Sequence, residues 1–92
     1  MIRTRKDFIM HKMLDAYMII AVGDSADTYH SIIQTNESGA FYWGMLEKGT
    51  TEKEMIEAAM ARYEGLDEET ARKDLSEFLE MIDAAIIREE ES

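Results

Sequence analysis

The stretch Thr35-Asn36-Glu37-Ser38-Gly39-Ala40-Phe41-Tyr42-Trp43-Gly44-Met45-Leu46 decides the fold. Before it, apolar residues come in short runs of strand character; after it, they recur at helical spacing. Asn36 is suited to cap a helix, because its side-chain oxygen accepts a hydrogen bond from a first-turn N–H that has no partner within the helix. Ala40, Trp43 and Leu46 then share one face at i, i+3 and i+6. Trp43 is the single tryptophan of the chain. A ring of that size is expected to pin this helix to the strands as part of the core.

Toward the N-terminus, Met1 to Asp7 reads as a polar lead-in that frays. Residues 8–14 predict a strand with Phe8, Met10 and Leu14 on one side and His11 on the other. Asp15-Ala16 is the expected tight connection to a second strand over 17–22, apolar on both faces, and the two read as a hairpin. Gly23 to Asp27 has loop composition. A third short strand is expected over 29–35, centred on Ile32 and Ile33, and its length suits a sheet edge.

Toward the C-terminus, the first helix is expected over 37–47, ending at the cationic Lys48 and a C′ glycine, Gly49. Thr51-x-x-Glu54 forms a capping box that opens a second helix, with Ile56, Ala59, Met60 and Tyr63 as its apolar face and Gly65 closing it. Asp67 caps a third helix, where Glu68 and Glu69 oppose the positive end of the dipole. Its apolar stripe is Ala71, Leu75, Phe78, Leu79 and Ile82. Ile86-Ile87 either continue that helix or form a short extended tail, and Glu89 to Ser92 is expected to be disordered. Strands and helices thus occupy separate blocks. This predicts one α+β domain over 1–92, with an ordered core of about 7–87.

Composition narrows the function classes. The 92 residues contain no cysteine, which removes disulfides and thiolate metal sites. No apolar run approaches the roughly 18 residues of a membrane span, and the polar, basic start is no export signal, so a soluble cytoplasmic protein is expected. The net charge is −10. Arg3, Arg5, Lys6 and Lys12 stand against Asp7 in the first twelve residues, a net of +3, so the rest carries −13. Such a body repels phosphate backbones, since nucleic-acid affinity rests on neutralising them with Lys and Arg. The third helix repeats the pattern, with seven acids between Asp67 and Asp83 against Arg72 and Lys73. It is a poor DNA reader, and a basic or neutral partner is favoured.

Catalytic chemistry finds no constellation. His11 and His30 sit on different expected strands without a ligand partner at suitable spacing. The acids of the third helix, among them Asp74, Glu77, Glu80 and Asp83, read as its solvated face. No nucleophile–base pair and no glycine-rich phosphate loop can be drawn. Eight methionines are many for this length, and they fill core gaps or line an adaptable peptide surface.

Three segments taken together resemble the PqqD family. They are Thr35-Asn36-Glu37-Ser38-Gly39-Ala40-x-x-Trp43, Gly49-Thr50-Thr51-Glu52-x-Glu54, and Asp67-Glu68-Glu69-Thr70-Ala71-x-x-Asp74-Leu75-x-x-Phe78-Leu79. Order and spacing agree from about Phe8 to Ile87. The resemblance implies a small winged helix-turn-helix-like domain, a three-stranded antiparallel sheet followed by three helices, without catalytic residues, cofactor or metal. It implies a peptide chaperone that binds the leader of a ribosomally made precursor peptide and presents it to a modifying enzyme such as a radical S-adenosylmethionine maturase.

In the family the leader adds as a strand to the third β-strand and packs against the third helix. By position, that edge is Ser31, Ile32, Ile33, Gln34 and Thr35. The facing wall is Arg72, Leu75, Ser76 and Leu79, with Asp83 near its end. The chain departs from the proteins of pyrroloquinoline quinone synthesis at Asn36 to Gly39 and at Asp83 to Ile87, where it lacks a glycine turn. These departures imply a related peptide pathway. Alternative readings are a winged-helix transcriptional regulator and an orphan protein–protein interaction domain. A homodimer through the free edge stays open.

Overall fold

The computed structural model describes residues 1–23 and 32–89. A hairpin of β2, Phe8–Met13, and β3, Ala16–Ala21, is extended by β4, Ile33–Thr35. The three strands form an antiparallel sheet in the order β2-β3-β4, with β1, Ile2–Thr4, lying outside it. Three helices follow, α1 over Glu37–Lys48, α2 over Glu52–Arg62 and α3 over Glu68–Met81. This is the α+β order expected from the sequence. The expected loop at 24–27, the 29–31 portion of the expected third strand with His30, and 90–92 of the acidic end lie outside the described residues.

Register fixes which side of the sheet is buried. Phe8 opposes Ala21, Met10 opposes Ile19, and Ile19 opposes Ile33 across the next ladder. With a side-chain period of two, these residues share one face. Phe8 and Ile19 are buried there, and Met10, Ala21 and Ile33 pack against the core.

The hairpin turn lies one residue earlier than Asp15-Ala16. Met13 pairs with Ala16, which leaves Leu14 and Asp15 as the two turn residues. Leu14 takes a left-handed φ of 57°, rare for a branched side chain. At the hairpin tip its side chain is 90% exposed, so only the local crowding of Cβ against the backbone opposes this conformation.

Each helix begins as its capping residue dictates. Asn36 Oδ1 accepts from the Gly39 N–H at 3.0 Å, and Thr51 Oγ1 accepts from the Glu54 N–H at 3.1 Å. Asp67 Oδ1 accepts from the Thr70 N–H at 2.7 Å. Helix α1 stops where Gly49, at φ 87°, donates its N–H to the Leu46 carbonyl. The core stripe of α3 is buried as its spacing predicts, from Ala71 through Leu75, Phe78 and Leu79 to Ile82. Trp43 is 2% exposed and Leu46 fully buried, so α1 is pinned as expected. Helix α2 is rotated from the expected face: Met55 is buried with Ile56 and Ala59, and Met60 points outward at 40% exposure.

The lead-in does not fray. It forms β1, which pairs antiparallel with β5, Ile86–Arg88, reached through a 3₁₀ turn at Asp83–Ala85. Ile2 and Ile86 are buried. Ile2 also exchanges backbone hydrogen bonds of 2.6 and 2.9 Å with buried Thr50. Of the two readings of Ile86-Ile87, the extended one holds. No helix among the described residues is long and apolar enough to cross a membrane.

Candidate functional site

Strand β4 is the last of its sheet, and among the described residues no strand pairs with its outer edge. A cleft of about 350 Å³ opens beside it. Thr35, Asn36 and Ser38 form one wall, where the strand passes into the first turn of α1. Asp74, Glu77, Phe78 and Met81 form the other. Their i, i+3, i+4, i+7 spacing puts them on one stripe of α3, partly overlapping the core stripe at Phe78. Tyr42 and Gly39 of α1 complete the lining between the walls. The Tyr42 and Phe78 rings lie 5.9 Å apart, tilted by 35°. That is within the range of favourable aromatic contact.

Gly39 sets how closely the walls approach. A Cβ at this position would stand 3.0 Å from Phe78 Cε1 and would overlap the Thr35 hydroxyl. Only glycine lets α1 start this near both the strand and α3.

Among the described residues, the lining holds two carboxylates and no Lys, Arg or His. The ion pairs of the described residues all lie elsewhere, and neither Asp74 nor Glu77 enters one. Tyr42 is 4% exposed, and its hydroxyl makes no hydrogen bond to any described residue. Burial raises the phenol above the ordinary tyrosine pKa, and the negative charge of Asp74 pushes the same way. The hydroxyl therefore stays protonated at neutral pH, close to an acid.

The residues carried over from the resemblance are distributed as follows. Thr35 lines the cleft, Ile33 is half-buried against the core, and Ile32 and Gln34 are exposed. Ser31 lies outside the described residues. Leu75 and Leu79 are buried in the core, while Ser76 is exposed. Arg72 is exposed, pairs with Glu68 at 3.0 Å and borders a separate recess with Ile56 and Met60 of α2. Asp83 is exposed in the 3₁₀ turn beyond α3. The sequence reading named Asp74 and Glu77 only as solvated face and Phe78 only as core. Their shared stripe with Met81 was the available signal. His11 is exposed on β2, and no group of three or more His, Asp or Glu among the described residues could hold a metal ion.

The chain superposes on a solved structure of TbiB1 in complex with the TbiA(beta) leader peptide. The TM-score is 0.73 at 18% identity, covering 97% of this chain and 99% of that one. At that identity the likeness is one of fold. No curated protein matches the sequence significantly. The family model of PqqD, coenzyme PQQ synthesis protein D, matches residues 22–85. That match spans β4, all three helices and both walls of the cleft, and the chain belongs to the PqqD family.

Proposed function

We propose that the protein is a non-catalytic leader-peptide-binding protein. It captures a ribosomally made precursor peptide by strand addition at the outer edge of β4 and presents it to a modifying enzyme, such as a radical S-adenosylmethionine maturase. The observation that carries this reading is the outer edge of β4, paired with no strand among the described residues, running beside a cleft floored by aromatic rings. Strand addition draws affinity from backbone hydrogen bonds and specificity from adjoining pockets, and both parts are adjacent in this fold. Family membership supports the reading, as does the leader peptide held by the similarly folded TbiB1.

The test is an NMR titration of labelled protein with precursor leaders encoded beside its gene. Shift changes concentrated at Ile32–Thr35 and along Asp74–Met81 are the expected result. Changes confined to the opposite edge, on β2, would move the site. An absence of changes with every such leader would overturn the function.

A further inference from the structure

We infer that the cleft between β4 and α3 reads a lysine or arginine side chain of the bound peptide. This rests on the peptide-binding reading above and adds the chemistry of the residue selected.

The lining sets the ligand's character. Asp74 and Glu77 lie three residues apart on one face of α3, exposed and without a cationic partner among the described residues. Carboxylates only accept hydrogen bonds, so an occupant must bring donors, and positive charge favours it further. Tyr42 supplies a second, independent sign. It is a phenol in a residue 4% exposed, lining the cleft, whose hydroxyl is left without a hydrogen-bond partner among the described residues. That hydroxyl opens on the cleft, where it can donate to or accept from a group that arrives from outside.

The apolar part of the lining fits the same occupant. Phe78, Met81 and the Tyr42 ring offer a surface for the methylene stem of a basic side chain, whose charged head then reaches the acids. The paired rings also favour a cation over an anion or a neutral amide. An acidic side chain would meet two like charges and no counter-ion among the described lining residues. A wholly apolar one would bury against the rings and leave the Tyr42 hydroxyl unpaired. The charge of the chain, −10 overall, adds long-range attraction for a basic segment.

A randomised library of twelve-residue peptides, selected on the immobilised full chain, tests the inference without knowledge of the natural leader. A selected peptide and its version with each Lys or Arg replaced by Gln are then titrated by fluorescence anisotropy. The proteins compared are wild type and the double variant Asp74→Asn/Glu77→Gln. Both acids are exposed, so the amides leave the core intact, which an unchanged unfolding midpoint verifies.

We expect selected peptides to share a basic residue at a fixed position. Wild type should prefer the basic over the glutamine peptide by roughly ten-fold, as for a partly desolvated charge pair. In the double variant that preference should fall to within about two-fold. Binders without a common basic residue, or a preference that survives in the double variant, would overturn the inference and leave peptide binding standing. Failure of wild type to enrich any peptide would overturn both.

Discussion

Gly39 in the first turn of α1 and Phe78 in α3 approach so closely that a Cβ on the glycine would lie 3.0 Å from the ring's Cε1. The same atom would overlap the Thr35 hydroxyl at the end of β4. One hydrogen in place of a methyl therefore sets the width of the cleft. Gly39→Ala should push α1 from α3 and cost about 1–3 kcal/mol, the range for overpacking. Urea unfolding checks the cost. Chemical shifts at Thr35 and Phe78 report the displacement, and a variant as stable as wild type with unchanged shifts would refute it.

Trp43 joins the sheet to the helices at 2% exposure. Trp43→Ala should lower stability by roughly 3–5 kcal/mol, through lost transfer energy and the cavity left behind. That is a large share of the stability expected for a small domain. Chemical denaturation measures it. A loss below about 1 kcal/mol would mean that the site collapses around the gap.

Met81 lies on the cleft wall of α3 at 46% exposure, away from the fully buried core. Met81→Asp should weaken peptide binding several-fold while leaving the unfolding midpoint close to wild type, as surface substitutions do. Leu75→Asp is no substitute, because Leu75 is 1% exposed and an acid there would be buried without a partner. Calorimetric titration with a bound leader decides. Wild-type affinity in Met81→Asp would remove this wall from the site.

Asp67 gives a pH signature. The Thr70 N–H hydrogen bond to its carboxylate holds its pKa below the ordinary aspartate value, with the Thr70 side chain adding to the effect. The unfolded chain thus binds this proton more readily than the folded one. The stabilisation is complete above the unfolded value near 3.9 and is lost as the pH falls through the lower folded value. Asp67→Asn keeps an acceptor but no titration. The difference in urea midpoint between it and wild type should therefore change below about pH 4 and stay flat above pH 5. A difference constant down to pH 2 would remove Asp67 from the acid response.

Local signals made most of this architecture readable. Asn36, Thr51 and Asp67 each announce a helix start, because a cap is a short-range hydrogen bond between a residue and the third one after it. The stripe from Ala71 to Ile82 is a property of one helix. Pairing of β1 with β5 has no such signal: each strand has three residues, and their contact joins opposite ends of the chain. The turn at Leu14-Asp15 was hidden because leucine carries no turn preference. In α2, Met55 and Met60 are chemically equivalent, and only tertiary packing selects Met55 for the core. The cleft was half legible. Thr35 and the third helix follow from the resemblance, but which stripe of that helix faces the strand depends on its rotation against α1.

The pairing of Ile2 with Arg88 brings the first and last described strands side by side, with about 4.8 Å between neighbouring backbones. The outer edge of β4, unpaired among the described residues, belongs to a different sheet. A domain whose two ends emerge together can be spliced into a surface loop of a larger protein without pulling that loop open. The same geometry lets the ends be joined and the chain reopened at the exposed Leu14-Asp15 tip. The fold thus has the geometry of a cassette, with both described ends on one small sheet and β4 on the other.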